Sequence, residues 1–166
     1  LSLLARTAPI QARAGDYAGA FATAMRAEDP SLRPLLARDI AATQTEKGDA
    51  AGAIAAARGL NDWPAAAAAF FGILRAQSQA HDQAGMRQTI AAALQTVRFI
   101  RAPELRAGAL GSLAVAHTLE GDVDAAQALF TEAMGTGAAA ERGLQQAAVY
   151  ARIADALADR RAAGGE

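Results

Sequence analysis

The fold class is decided by residues 48–60, GDAAGAIAAARGL, which are typical of a turn followed by a helix. Glycine before aspartate supplies a C-cap for one helix and an N-cap for the next within two residues. Ala53, Ala57 and Leu60 then follow at spacings that place them on one helical face. The stretch therefore predicts the centre of a helix–turn–helix unit whose helices pack closely.

The same turn recurs along the chain at a regular period. Four copies are spaced by 33, 33 and 40 residues: Gly15-Asp16, Gly48-Asp49, His81-Asp82 and Gly121-Asp122. A second set of apolar residues is spaced by 33, 40 and 40 residues: Ile40, Ile73, Leu113 and Ile153. A period in this range is the signature of a solenoid built from repeated helix pairs.

Prolines mark the connections between the predicted units, at Pro30, Pro34, Pro64 and Pro103. Pro64 and Pro103 suit the first position of a helix, where the missing N–H costs nothing. Pro9 is expected to kink or shorten the first helix. The predicted helices cover residues 2–13, 17–28, 32–46, 50–59, 63–80, 83–101, 104–119, 123–134 and 139–161.

Composition agrees with a helical chain and narrows the classes of function. Hydrophobic residues make up 52% of the 166 residues but aromatic residues only 5%, and much of the hydrophobic content is alanine. The net charge of −1 disfavours a nucleic-acid or anionic-membrane binder. There is no cysteine, and every run of eighteen apolar residues is interrupted by charge, so we expect no membrane insertion. A soluble protein of the cytoplasm or periplasm fits these features.

These units resemble the tetratricopeptide repeat, a family of helix pairs with a glycine–acid turn followed by spaced alanine, aromatic and alanine residues. Gly15-Asp16-Tyr17 with Ala20 and Ala27 matches that pattern. The copy that matches it best has these residues: Ala114, Gly121, Asp122, Ala126, Phe130 and Ala133. The third copy is degenerate, and the family's early tryptophan is absent from the first helices.

The resemblance implies an all-α, α-α superhelix of about four helix–turn–helix repeats plus a C-terminal capping helix. We expect one domain over residues 1–166. Its repeats would cover about 1–33, 34–66, 67–106 and 107–146, and the capping helix would cover 147–161.

The family usually binds a peptide or protein segment on its concave surface, so the resemblance implies a non-catalytic interaction module. The register of the repeats places Arg38, Phe71 and Arg75 on that surface. No lysine and asparagine set occurs there, so a clamp for a C-terminal carboxylate is not expected. Neither a cofactor nor a metal is expected. Residues 1–8 are too apolar for a solvent-facing end, so they should pack on an upstream segment, a second copy or a partner, and a homodimer is one outcome.

Two other functions stay open. The chain could be an accessory subunit of a larger enzyme complex, for example a periplasmic or membrane-associated one. It could also be an enzyme or small-ligand protein with a pocket near Glu104, Arg106 and His117. His117 is favoured as a partly buried structural residue, and Glu120, Asp122 and Asp124 as residues around a helix start.

Three further features were weighed in the same way. His81 is interpreted as a surface turn residue, not a metal ligand. Trp63 is expected to pack over a helix end. Arg98, Arg101 and Arg106 with Phe99 could bind an anion or a partner, although a solvated helix junction is favoured.

Overall fold

The computed structural model describes residues 3–135, and every regular element in that range is an α-helix. The prediction of an all-helical protein is therefore confirmed for this range. The helices are α1 (Leu3–Arg13), α2 (Tyr17–Met25), α3 (Leu32–Glu46), α4 (Ala50–Gly59), α5 (Trp63–Gln79), α6 (Gln83–Val97), α7 (Pro103–Glu120) and α8 (Val123–Gly135). The predicted helix 139–161, with Ile153 and the capping segment, lies outside the described residues.

Three helix boundaries differ from the predicted ones. Helix α2 ends at Met25, because the N–H groups of Arg26 and Ala27 bond three residues back and tighten the last turn. Helix α6 ends at Val97, where the N–H groups of Phe99 and Ile100 bond in the same way. Helix α1 continues past Pro9 to Arg13, so the expected shortening does not occur.

Each Asp of the repeated turn caps the helix that follows it. Its carboxylate accepts the N–H of the residue three positions later, at 2.9 Å for Gly19, 2.9 Å for Gly52, 2.8 Å for Gly85 and 3.0 Å for Ala125. Such a bond satisfies one of the N–H groups that a helix start leaves unpaired.

The residue before each capping aspartate has a left-handed backbone. Gly15, Gly48 and Gly121 have φ angles of 88°, 90° and 95°, and His81, at the same position of the third turn, has φ of 56°. A Cβ atom makes this region unfavourable for an L-residue, whereas glycine adopts it freely.

Replacing His81 with glycine is therefore expected to raise the free energy of unfolding by about 0.5–1 kcal/mol. His81 is exposed, so no packing is lost with its side chain. Urea denaturation followed by circular dichroism measures the change. Gly48→Ala is the converse control and should destabilise the protein by about 1 kcal/mol. A less stable His81→Gly protein would show that the imidazole contributes more than its backbone strain costs.

The chain divides into two compact units, Leu1–Ala93 and Leu94–Glu166. In the first unit, α3 lies between α1 and α5 and packs on both. Helix α2 packs on α1 and α3, and α4 packs on α3 and α5. The core consists mainly of alanine, with three large buried side chains, Ile40, Phe70 and Ile73. Each helix pair is thus held by the first helix of the next pair.

Helices α3 and α5 approach closely at Gly72. A Cβ atom on Gly72 would collide with the carbonyl oxygen of Arg38 and lie 3.1 Å from its carbonyl carbon and 3.3 Å from the Ala42 nitrogen. Glycine lets the two backbones touch there.

Arg33 links three helices on the other side of the same unit. Its guanidinium donates to the Ala27 carbonyl, just past α2, at 3.2 and 3.3 Å. It also lies 3.7 Å from the carboxylate of Asp62, which caps α5. Arg33, itself in α3, therefore helps fix the spacing of α2, α3 and α5.

In the second unit, α7 packs against α8. The buried residues include Leu110 and Leu113 of α7 and Ala126 and Leu129 of α8.

Candidate functional site

The three residues predicted for a binding surface lie on two neighbouring helices, α3 and α5. Phe71 and Arg75 are four residues apart on α5 and therefore share one face. Phe71 is 51% exposed, and Arg75 is exposed as well. Arg38 lies on α3, where its backbone carbonyl touches Gly72, the residue next to Phe71. We call Arg38, Phe71 and Arg75 the α3–α5 surface.

The two arginines of this surface differ in their electrostatic state. Nε of Arg38 donates to the carboxylate of Asp39 at 2.9 Å, so that charge is partly neutralised. Arg75 makes no ion pair with any described residue. The surface therefore offers one uncompensated cation beside a half-exposed aromatic ring, a pairing that protein interfaces favour.

Leu35 extends the surface and was missed by the sequence analysis. It is exposed on α3, three residues before Arg38 and so on the same side of the helix. The fixed register of the repeats pointed to residues 38, 71 and 75 only. An apolar residue one turn earlier could have been included by the same logic.

A polar contact repeats inside the first three helix pairs, and it too was missed. Thr23 donates its hydroxyl to Gln11 Oε1 at 2.7 Å, and Thr89 donates to Gln77 Oε1 at 2.9 Å. The glutamines recur every 33 residues, at positions 11, 44 and 77, whereas the partner positions are Thr23, Ala56 and Thr89. Gln44 Oε1 is buried and has no hydrogen-bond partner among the described residues.

The same glutamine side chain acts on the capping aspartate. Gln44 Nε2 donates to the Asp49 carboxylate at 2.7 Å, and this bond, followed by the Gly52 N–H, lowers the pKa of Asp49 below 3.8. Because the folded state depresses this pKa, the carboxylate stabilises the fold above pH 3.8 and loses that effect as the pH falls below it. These glutamine contacts are structural.

A cleft of about 460 Å³ lies between the α3–α4 turn and the α5–α6 turn. Its lining includes the carboxylates of Glu46 and Asp82 and the amide of Gln77. Asp82 is engaged as the cap of α6, and Gln77 accepts from Thr89. These groups hold the turns together, and no nucleophile is paired with a base among them.

The residues of the alternative enzymatic site do not converge. Glu104, Arg106 and His117 all lie on α7, and the eleven residues from Arg106 to His117 span about 16 Å of helix. His117 is half-buried, with Nδ1 3.9 Å from the carboxylate of Asp122, the cap of α8. Its neighbour is thus a turn aspartate, as a structural histidine would have.

The junction between α6 and α7 presents a second basic and aromatic surface. Arg98, Phe99 and Arg101 are exposed, whereas Ile100 between them is buried. We call the three exposed residues the junction surface. Trp63, the first residue of α5, is half-buried beside the capping Asp62.

Metal and membrane sites were sought in the same part of the chain. Residues 3–135 contain no group of three or more histidine, cysteine or acidic residues placed to hold a metal ion. Within that range no helix combines the length and the hydropathy needed to cross a membrane.

Comparison with known proteins finds no matching protein-family model, no matching curated protein and no matching solved structure. The tetratricopeptide resemblance therefore stays a prediction from the repeat.

Proposed function

We propose that this protein is a non-catalytic, tetratricopeptide-like repeat module that binds a peptide or protein partner on the α3–α5 surface. The observation that carries the proposal is the pairing of half-exposed Phe71 with uncompensated Arg75 on one face of α5. Aromatic and arginine side chains supply much of the binding energy of protein interfaces.

The way the helices pack supports the same proposal. The first helices of successive pairs lie side by side, and the close approach at Gly72 brings the α3 and α5 faces together. Residues on both helices can then contact one extended segment. Because Gly72 and Ala42 fix the backbones, Phe71 is presented on a rigid support, which reduces the entropy lost on binding.

An accessory subunit of a larger complex is the second candidate function. The exposed apolar residues outside the α3–α5 surface favour it: Leu3, Ile10, Phe99, Leu105 and Met134. A subunit of this kind would bury several of these residues at once, instead of one segment on one surface.

The proposal is tested by affinity capture from native extract with quantitative mass spectrometry. The bait is the full chain, beside a variant in which Arg38, Phe71 and Arg75 are all alanine. A matched control replaces the same residue types on the junction surface, Arg98, Phe99 and Arg101. Circular dichroism first checks that all three baits are folded. We expect a stoichiometric partner that is lost, at least tenfold, only from the α3–α5 variant.

Two results would contradict the proposal. A partner retained by the α3–α5 variant but lost from the control would move the interface to the junction surface. A partner lost only when both surfaces are changed would favour the accessory-subunit function. If the wild-type bait retains no protein at all, an interaction module is the wrong function.

A further inference from the structure

Helix α1 exposes an apolar and basic face opposite its buried face. Leu3 and Ile10 are 77% and 62% exposed, and Arg6 and Arg13 between and after them are exposed too. Their spacing of three, four and three residues places all four on one side of the helix. The buried residues Ala5, Ala8 and Ala12 occupy the opposite side. We call Leu3, Arg6, Ile10 and Arg13 the α1 outer face.

The 33-residue repeat shows what this face corresponds to in the next two helix pairs. The counterparts of Leu3 are Leu36 and Ala69, which are 8% and 0% exposed. The counterparts of Ile10 are half-buried Thr43 and buried Ala76. The position that α1 leaves in solvent is thus covered in both of the following pairs.

The element that covers the counterpart face is a helix. Gly72, the counterpart of Arg6 on α5, lies against the α3 backbone at Arg38. Ala69 and Ala76 share the face of Gly72, because they are three and four residues away. The α1 outer face is therefore built to receive a helix, as α5 receives α3.

Charge selects the kind of helix. Helix α1 contains no acidic residue, and Arg6 and Arg13 make no ion pair with any described residue. A second copy placed symmetrically on this face would bring four arginines together without a carboxylate, and like charges at an interface are strongly disfavoured. We propose that the α1 outer face docks an amphipathic helix of a partner protein, with apolar residues facing Leu3 and Ile10 and carboxylates facing Arg6 and Arg13.

The probe is a synthetic helical peptide in which leucines and glutamates each recur every seven residues, the spacing of Leu3 to Ile10 and Arg6 to Arg13. A second peptide carries lysine in place of each glutamate. Binding to the isotope-labelled full chain is followed by amide chemical shifts. We expect the glutamate peptide to shift α1 amides. The doubly reversed Arg6→Glu, Arg13→Glu protein should bind it about tenfold more weakly and should bind the lysine peptide instead.

Two variants separate this surface from other effects. Arg26→Glu with Arg58→Glu changes the net charge equally, at exposed arginines outside the face, and should leave binding of the glutamate peptide unchanged. The α3–α5 triple alanine variant should also bind it normally, so failure here is distinct from failure of the proposed function. Folding is checked by circular dichroism, and all replaced residues of the α1 outer face are exposed.

Three outcomes would overturn the proposal. The first is equal binding of the two peptides to the wild-type chain. The second is the absence of α1 shifts at the highest peptide concentration. The third is a dimer in sedimentation velocity that disappears in Leu3→Ser, Ile10→Ser, which would assign the face to a second copy.

Discussion

Replacing Gly72 with alanine is expected to lower the free energy of unfolding by about 2 kcal/mol. The new Cβ atom would collide with the Arg38 carbonyl oxygen, and the other close atoms also belong to the α3 backbone. Backbone atoms cannot rotate away, so α3 and α5 must separate, which costs about 3 kcal/mol. The better helix propensity of alanine recovers up to about 1 kcal/mol. Urea denaturation gives the net change.

Gly59→Ala is the matched control for this substitution. Gly59 also lies in a helix, at the end of α4, but a Cβ atom there would meet no atom within 4 Å. That substitution should leave stability unchanged or raise it by about 0.5 kcal/mol. If Gly72→Ala behaves like Gly59→Ala, α3 and α5 do not touch as described.

The same substitution connects packing with function. Arg38 and Phe71 flank the contact at Gly72, so separating the helices would also separate the two sides of the α3–α5 surface. A Gly72→Ala protein that stays folded should therefore capture less of the proposed partner, although every side chain of the surface is retained.

Features that depend on neighbours in sequence were predictable. The glycine before each capping aspartate sets a left-handed turn, and both residues act within a few positions. The start of α5 at Trp63 follows from Asp62 and Pro64 in the same way. Local chemistry of this kind is visible in a single sequence. The 33-residue period then multiplied one local pattern into several helix pairs.

Features that depend on which helices meet were not predictable. Gly72 is an ordinary glycine in the sequence, and only the position of the α3 backbone makes it necessary. Arg33 is one arginine among many until Ala27 and Asp62 are brought beside it. The glutamine at positions 11, 44 and 77 was visible as a repeat, but its threonine partners lie twelve residues away on another helix.

The candidate site falls between these cases. The repeat register selected Phe71 and Arg75, and both are exposed. The register could not show that Asp39 partly neutralises Arg38 while Arg75 has no such partner, because ion pairing depends on side-chain geometry. It also placed Glu104, Arg106 and His117 near one pocket, whereas one continuous helix keeps them apart.

Replacing Thr89 with valine is expected to lower the free energy of unfolding by about 2 kcal/mol. Thr89 and Gln77 are both buried, and the valine leaves Gln77 Oε1 without its donor. A buried acceptor without a partner costs about 1–3 kcal/mol. Valine keeps the shape of threonine and has a similar helix propensity, so neither a cavity nor propensity accounts for the loss. The measurement is again urea denaturation.

The second helix pair allows the opposite experiment, because Ala56 stands where the other pairs have threonine. A threonine at 56 should donate to Gln44 Oε1, the buried acceptor that has no partner among the described residues. Threonine costs about 0.6 kcal/mol of helix propensity against alanine, so Ala56→Val is the reference that carries the same cost. Ala56→Thr should be more stable than Ala56→Val by about 1 kcal/mol. Equal stability of the two would mean that the glutamine–threonine contact does not repeat in this pair, and that Gln44 is held by Asp49 alone.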